Sequence, residues 1–316
     1  MRQRLVVLNY HQVPEQADWM KPDQVDRQVF RDQLHAFKRY FNVLPLAQAM
    51  DALRNDALPS RALAITFDDG YRDNHDVALE ELDRAGCAAT FFIATDFLDG
   101  GRMWNDTLIE AVRTTQRPVL DANTDGLEPL GLDAPLSFAS NAARKHAMET
   151  LIPTVKYLAA DVRQRVVDRL AQALDVSLPD DLMMSAEQIR TLHSAGMEVG
   201  GHTSSHPILL TLSLDEARAD IARGRDRLTD ILGHPPRFFA YPNGKYRQDF
   251  EHEHTRLLPE LGFNAAFTTQ WGYVDRSMPL FELPRVGFSR NVGLKLVLKV
   301  LRSYFDTPTE FSDRAA

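Results

Sequence analysis

Three glycines, each standing between a helical pattern and a short apolar run, constrain the fold of this sequence more than any other feature. Gly86, Gly196 and Gly262 follow segments with the spacing of amphipathic helices and precede runs typical of buried strands. A repeated order of helix, glycine and strand favours a β/α fold with a mostly parallel sheet over all-α and all-β folds. The spacing predicts strands at about 4–9, 62–67, 88–94, 197–201, 237–241 and 264–268.

The stretch from about 100 to 185 interrupts this rhythm and is too long for a single crossover between strands. Its middle is rich in Gly, Pro and Asp, and helical patterns follow at about 141–158 and 161–175. We interpret the stretch as a helical insertion on the rim of a barrel. The expected architecture is therefore one α/β catalytic domain over 1–316 with an insertion.

Composition and charge exclude several classes of protein. The formal net charge is −8 and 44% of the residues are hydrophobic, which argues against a disordered chain and against a nucleic-acid-binding protein. The N-terminus lacks the pattern of an export signal, and no run of 18 apolar residues occurs. The single Cys87 cannot form an internal disulfide, which fits a reducing compartment. These features predict a cytoplasmic protein.

Two polar clusters follow predicted strands at the ends where β/α folds carry their active sites. Asp68 and Asp69 come after the strand at 62–67, and adjacent carboxylates resist joint ionisation unless a cation accompanies them. A solvated turn is the structural alternative for this segment. His202 and His206 follow the strand at 197–201, and their four-residue spacing lets both rings face one point.

Imidazole and carboxylate together suit zinc. One carboxylate and the two histidines would supply three protein ligands and leave positions open for water, as in catalytic zinc sites. A third segment, Tyr241 to Gly244, would form a tight turn whose backbone N–H groups could bind an oxyanion, or it is an ordinary strand-to-helix turn.

Three motifs in this order resemble those of the polysaccharide deacetylase family, also described as the NodB-homology domain or carbohydrate esterase family 4. They are TFDDGY at 66–71, HTSSHP at 202–207 and FAYPNG at 239–244, and FFI at 91–93 and LPRVGF at 283–288 are also similar. The resemblance covers roughly residues 4–100 and 185–290. It implies a distorted (β/α) barrel and a divalent metal, usually zinc, in an enzyme that removes acetyl groups from sugars.

The resemblance also implies roles for individual residues. Asp69, His202 and His206 resemble the metal ligands of the family, and Asp68 resembles the general base that deprotonates the attacking water. Many members have an arginine in the third motif that orients this base, but Ala240 occupies that position here. Arg285 or Arg237 would have to replace it, and we favour Arg285, with a surface salt bridge as its alternative.

A late histidine acts as the general acid in many members, but no histidine follows His254 in this sequence. His11 ends the first predicted strand, and a barrel brings its first and last strands together. His11 could therefore protonate the leaving amine, or it is a structural histidine below the metal. The turn at Asn243 is expected to hold the oxyanion through its backbone N–H, with Tyr241, Trp104 and Trp271 as candidate sugar contacts.

The sequence thus predicts a metal-dependent hydrolase that removes acetyl groups, above all N-acetyl, from a sugar or polysaccharide precursor by means of metal-activated water. The alternatives are a metal-independent amidohydrolase of related fold that acts on a small cyclic amide, and a non-catalytic carbohydrate-binding module. Expected partners are an acetylated sugar, an oligosaccharide or a lipid-linked saccharide.

A basic amphipathic helix is expected at about 292–305. The stretch 285–305 contains five basic residues and no acidic one. This composition is typical of interfacial helices, so peripheral contact with the inner face of a membrane is one hypothesis for the segment. A closing helix packed on the barrel is the other hypothesis.

Overall fold

The computed structural model describes residues 3–287 and 289–306. Phe288 of the LPRVGF motif and the ends of the predicted 1–316 domain lie outside these residues. The described chain divides into two compact units. The first comprises the described residues of Met1–Ala17, Asp23–Asp99 and Met183–Ala316, and the second comprises Asp18–Pro22 and Gly100–Leu182.

The described residues form ten strands and ten α-helices. The strands are β1 (Leu5–Tyr10), β2 (Asn42–Val43), β3 (Ala62–Phe67), β4 (Thr90–Ile93), β5 (Val119–Leu120), β6 (Leu136–Ser137), β7 (Glu198–Gly201), β8 (Phe238–Ala240), β9 (Ala265–Phe267) and β10 (Val286–Gly287). The α-helices are α1 (Arg27–Tyr40), α2 (Leu46–Arg54), α3 (Leu79–Ala85), α4 (Trp104–Thr114), α5 (Asn141–Lys156), α6 (Ala160–Ala173), α7 (Ala186–Ser194), α8 (Leu214–Leu232), α9 (His252–Glu260) and α10 (Gly293–Ser303).

The first unit contains a parallel sheet in the order β10-β1-β3-β4-β7-β8-β9, with β2 paired to β3. Every described pair of strands in this sheet is parallel. A further parallel bridge joins Phe267 of β9 to Leu283, three residues before β10. The two ends of the sheet are thereby drawn together, and the strands curl into the distorted barrel of the NodB type.

Sequence patterns explain why these elements form. All six residues of β1 and all six of β3 are buried, as expected for strands covered on both faces by a parallel β/α arrangement. Gly86 ends α3 in the left-handed conformation, at φ 59°, and the chain then enters β4. At the other end of a helix, Ser213 and Glu216 form a capping box that begins α8.

The six strands predicted from periodicity are confirmed as β1, β3, β4, β7, β8 and β9, with boundaries that differ by no more than three residues. The two-residue strands were not predicted because they are too short to show a period. Among them, β10 matters for function, since it follows Arg285 directly and pairs with β1.

The second unit has its own apolar core. Helices α4, α5 and α6 pack around buried residues such as Leu108, Leu151 and Leu170, and β5 and β6 form a short antiparallel pair. The two helices predicted within 100–185 are confirmed, but α4 was missed. Residues 18–22, outside the predicted insertion, also belong to this unit, where Asp18 forms an ion pair with Arg113.

Candidate metal centre and active site

Three potential metal ligands converge at the carboxyl ends of β3 and β7. The Nε2 atoms of His202 and His206 each lie 3.3 Å from Oδ1 of Asp69. The ligating atoms of the three residues all fall within 4.8 Å of one another. The structure therefore brings together the Asp69, His202 and His206 set predicted from the sequence.

The chemistry of these donors fits a divalent metal ion. Oδ1 of Asp69 is buried and has no hydrogen-bond partner in the described chain. Nδ1 of His202 lies 2.7 Å from the carbonyl oxygen of Ala240, which only accepts hydrogen bonds, so Nδ1 carries the proton. In the neutral ring Nε2 then presents a lone pair toward the carboxylate. Buried acceptors that face one another in this way need a cation between them.

The Asp69 carboxyl is held in its ionised form, ready to act as a ligand. Burial raises the pKa of this group, but the neighbouring imidazoles of His202 and His206 and the charge of His11 lower it by more. The net result is a pKa well below the ordinary value of an aspartate.

Beside the metal ligands, Asp68 and Arg285 form a buried bidentate ion pair. The two guanidinium nitrogens of Arg285 donate to Oδ1 and Oδ2 of Asp68, each at 2.7 Å. The guanidinium is fixed in turn by the carbonyl of Thr268 and the hydroxyl of Thr66. Burial raises the pKa of Asp68, but the charges of Arg285, His202 and His11 bring it below the ordinary value. Asp68 is thus an oriented, ionised carboxylate.

Arg285, and not Arg237, occupies the position expected for the arginine that orients the base. Arg237 lies at the start of the segment that leads into β8 and forms an exposed ion pair with Asp51. A bidentate contact fixes both the rotation and the ionisation of the carboxylate, which a distant surface charge could not do. The surface-salt-bridge alternative for Arg285 is wrong, because its side chain is fully buried.

The loop between the two histidine ligands is held by helix α8. The carboxylate of Asp220 accepts hydrogen bonds from the N–H of Ser204 at 2.8 Å and of Ser205 at 3.1 Å. It also accepts the hydroxyl of Ser205 and forms an ion pair with Arg223. Asp220 is buried, so these bonds satisfy backbone donors that would otherwise be lost inside the protein.

Backbone strain accompanies this loop. Thr203 and His206 have φ angles of 66° and 52°, and Asp69 has a φ of 79°. Non-glycine residues adopt this conformation at a cost, and such strain persists only where surrounding contacts enforce it. Gly224 of α8 allows the close approach, because a Cβ there would lie 2.5 Å from the carbonyl oxygen of Thr203.

Sequence reasoning missed Asp220 as part of this site. The signal was present in the pattern of α8, whose buried face contains Ala217, Ile221 and Leu228. Asp220 and Gly224 lie on that same face, where a carboxylate and a glycine have no place in a purely apolar contact.

His11 lies at the carboxyl end of β1 and is exposed to solvent. Its charge is among the causes that lower the pKa of both Asp68 and Asp69. The side-chain amide of Asn74 donates to the backbone carbonyl of His11 at 2.7 Å, which fixes the end of β1. The assignment of His11 as proton donor stays a prediction, with a structural histidine as its alternative.

The turn after β8 presents the backbone N–H of Asn243. Asn243 and Gly244 both have positive φ angles, 58° and 74°. The carbonyl of Asn243 accepts a hydrogen bond from the Thr269 hydroxyl at 2.6 Å, and that of Gly244 accepts from the Thr269 N–H. Within residues 3–287 and 289–306, no hydrogen bond uses the N–H of Asn243. That donor is therefore available for a ligand.

A sequence model of the polysaccharide deacetylase family matches residues 55–117 and 146–265, which is more than half of the chain. The chain belongs to the polysaccharide deacetylase family. Its motifs place it among hydrolases, and the carboxylate and two histidines form the metal-site triad. The comparison with curated proteins returns no match.

Solved structures of deacetylases share the fold. The deacetylase PplD of Streptococcus pyogenes, in complex with acetate, superposes with a TM-score of 0.61 at 18% identity, covering 95% of this chain and 99% of that one. The de-N-acetylase of Aggregatibacter actinomycetemcomitans gives 0.59 at 15% identity, over 94% and 99% of the two chains. IcaB of Ammonifex degensii gives 0.58 at 20% identity, over 95% and 97%.

Among the candidate sugar contacts of this family member, Tyr241 is reassigned to packing. Its side chain is fully buried, its ring stacks on Phe250, and its hydroxyl donates to the carbonyl of Phe281. A side chain without exposed surface cannot contact a sugar. The predicted sugar contact is wrong because side chains alternate along β8 and its continuation. Tyr241 therefore shares the face of Phe239, which packs against the helices.

The two tryptophans are partly engaged by other contacts. The indole N–H of Trp271 donates to Asp306, and the Lys299 ammonium lies 5.3 Å from its ring. Trp104 begins α4 in the second unit, where the guanidinium of Arg163 lies 5.4 Å from its ring. Both assignments as sugar contacts stay predictions.

Proposed function

We propose that this family member is a zinc-dependent deacetylase that hydrolyses the N-acetyl group of a sugar, an oligosaccharide or a lipid-linked saccharide. The observation that carries the proposal is the adjacency of Asp68 and Asp69. One carboxylate faces two histidines in a metal-ligand arrangement, while the other is paired with Arg285. The two neighbouring aspartates thus have different partners and take different tasks.

A bound divalent ion supplies Lewis acidity, which polarises the acetyl carbonyl and acidifies water at the site. Asp69, His202 and His206 would hold it, and a set of two imidazoles and one carboxylate suits zinc. The remaining steps belong to side chains and backbone of this chain.

Asp68 accepts the proton of the attacking water on a carboxylate oxygen. Both oxygens already accept one hydrogen bond from Arg285, and each keeps a second lone pair for this proton. The guanidinium prevents rotation of the carboxylate and keeps the group ionised, so that it can act as a general base near neutral pH.

The N–H of Asn243 donates a hydrogen bond to the oxygen that gains negative charge during the attack. His11 then transfers a proton from its ring to the departing nitrogen, which would otherwise leave as an unstable anion. The exposed position of His11 allows the ring to regain its proton from solvent after each turnover.

The similarity to a deacetylase solved with acetate and to a de-N-acetylase supports acetyl removal and the choice of an amide substrate. The cytoplasmic location is likewise a proposal, supported by a single cysteine that is buried and unpaired. A non-catalytic carbohydrate-binding module would not need an ionised base beside the ligand triad.

The experiment combines metal analysis of the purified protein with acetate release from matched N-acetylated and O-acetylated oligosaccharides and lipid-linked sugars. We expect about one divalent ion per chain and faster release from the N-acetylated substrates. His202→Ala should lose both the metal and the activity, whereas His35→Ala, an exposed histidine, should lose neither. Saccharide binding without acetate release, or normal metal content in His202→Ala, would contradict the proposal.

A further inference from the structure

Helix α10 closes the barrel with one of its faces. Leu296, Val297 and Val300 are buried in the main core of the first unit, against which α1 also packs. Tyr304, just after the helix, stacks on Phe41 and donates its hydroxyl to a backbone carbonyl of β3. The hypothesis of a closing helix is thus correct for this face.

The opposite side of α10 presents a second apolar surface, which does not pack against the core. Leu294, Leu298 and Phe305 are 72%, 57% and 76% exposed. Leu294 and Leu298 lie one turn apart on the same side of α10, and Phe305 follows just beyond the end of the helix. Leu294 and Phe305 are the two most exposed large hydrophobic side chains in the part of the chain that the structure describes. We call Leu294, Leu298 and Phe305 the outer row.

Basic residues lie beside the outer row. Of the five in 285–305, Arg285 and Arg290 are neutralised by ion pairs with Asp68 and Asp26. The other three, Lys295, Lys299 and Arg302, lie along one side of the outer row on helical spacing.

Each of these three has an identified neighbour. Burial and the charge of Lys295 lower the pKa of Lys299, whose ammonium also lies near the Trp271 ring. The Arg302 guanidinium lies 3.4 Å from Asp306, but its side chain remains 80% exposed. Lys295 and Lys299 repel each other, and a nearby anionic surface would relieve that repulsion.

We propose that the outer row and its basic flank dock α10 onto an anionic membrane surface. Such a surface accepts a short apolar row at the depth of its headgroups and attracts the flanking cations at the same time. The chain as a whole carries a net charge of −8, so this local basic flank is the part suited to anionic lipid.

A peripheral arrangement fits the dimensions of the helix. Within the described residues, no helix is long and apolar enough to cross a bilayer, and α10 itself has eleven residues. A second copy of the chain is a less suitable occupant, since stable dimers bury about 20–30 residues on each side and the outer row offers three side chains. Two like basic flanks would also oppose each other.

The test is co-sedimentation of the full chain with vesicles of phosphatidylcholine alone or mixed with phosphatidylglycerol. We expect binding to the anionic vesicles, weaker by roughly tenfold or more in high salt or without phosphatidylglycerol. The double variant Leu294→Ser with Leu298→Ser and the double variant Lys295→Gln with Arg302→Gln should each weaken binding by at least roughly tenfold.

The matched control is Leu214→Ser with Leu280→Ser, two comparably apolar positions outside α10 that are 40% and 39% exposed. It should bind vesicles as the unmodified chain does. Thermal unfolding should be the same for all variants, because the buried face of α10 is intact in each.

Absence of binding by the unmodified chain, equal binding to neutral vesicles, or an equal loss in the Leu214/Leu280 control would overturn the proposal. Sedimentation equilibrium tests whether a second copy of the chain occupies the outer row instead. A dimer that becomes a monomer in the Leu294/Leu298 variant would assign the outer row to a second copy and also overturn it. A monomer in both cases supports membrane docking.

Discussion

The two sides of the proposed active site are built in opposite ways. On the base side, Asp68 and Arg285 are buried and locked by paired hydrogen bonds, and the ligand His202 is buried next to them. On the acid side, His11 is exposed, and the described contact that fixes it is made to its backbone carbonyl. A group that must be oriented and ionised is enclosed, whereas a group that must regain a proton is left open to water.

This contrast has a physical basis. A buried ion pair restricts the carboxylate to one orientation and holds its pKa down, which an exposed pair in water would do only weakly. A histidine that cycles between its charged and neutral forms would pay a desolvation cost on each cycle if it were buried. We therefore expect substitutions on the base side to lower activity more than substitutions on the acid side.

The largest expected effect in this comparison is that of Asp68→Asn. The amide cannot accept the proton of water, so kcat should fall by roughly 10² to 10⁴, the range for general acid–base groups. The metal should stay bound, because Asp68 is not among the three ligands. Steady-state kinetics and metal analysis check both parts, with the exposed Asp83→Asn as control. Loss of the metal in Asp68→Asn would mean that the two aspartates exchange roles.

Arg285→Gln should affect stability and pH dependence together. Loss of the guanidinium leaves a buried carboxylate without its partner, which costs about 3–5 kcal/mol of the free energy of unfolding. In the unmodified protein the pKa of Asp68 lies below its ordinary value, so the base stays ionised as the pH falls until that lowered pKa is reached. Without Arg285, burial raises this pKa, and the acid limb of the pH–rate profile moves to higher pH.

Denaturant unfolding and pH–rate profiles measure these two effects. The free energy of unfolding depends on pH in the same direction. The ion pair stabilises the fold above the ordinary pKa of a carboxyl group, and this contribution is lost as the pH falls through the lowered pKa. Arg285→Lys, which keeps the charge, should fold more stably than Arg285→Gln and show a smaller shift. If the acid limb of the pH–rate profile moved in neither variant, Asp68 would not be the general base.

His11→Ala should lower kcat by about 10², the low end of the range for general acids, because water can partly replace an exposed donor. The characteristic result is loss of the basic limb of the pH–rate profile, since that limb reports the proton on the ring. Stability should change little, because the ring is exposed. An unchanged profile would return His11 to a structural role, and His35→Ala serves as the control.

Sequence reasoning predicted most of the base side. Asp68, Asp69 and His202 each follow a strand directly, and in a parallel barrel the strand order alone brings such residues to one edge. Arg285 was favoured over Arg237 because the family resemblance implies an arginine that orients the base and Ala240 occupies its usual position. These positions can be predicted because short stretches of sequence show both the strands and the polar residues that follow them.

Other parts depend on contacts between distant segments. The hydrogen bonds between Asp220 and residues 204–205 join α8 to the loop after β7, and no periodic spacing in the sequence indicates such a contact. The contact of Asn74 with His11 spans 63 residues. Tyr241 was misassigned because the prediction relied on the residue types of its turn. It did not consider that alternate side chains along β8 face the buried side. The helical spacing of the apolar residues in α10 could be read from the sequence. Which of them would be buried could not, because that depends on how the helix packs on the barrel.

The smallest of these effects is expected for Asp220→Ala, which tests how the base side is supported. Asp220 is not among the three candidate ligands, but it satisfies the Ser204 and Ser205 N–H groups in the strained loop that carries His206. Loss of such supporting contacts typically lowers metal affinity by about 10- to 100-fold, which chelator competition measures. The exposed Asp230→Ala on the same helix is the control. If Asp220→Ala lowered the melting temperature of the metal-free protein but left metal affinity unchanged, the residue would stabilise the fold without positioning His206.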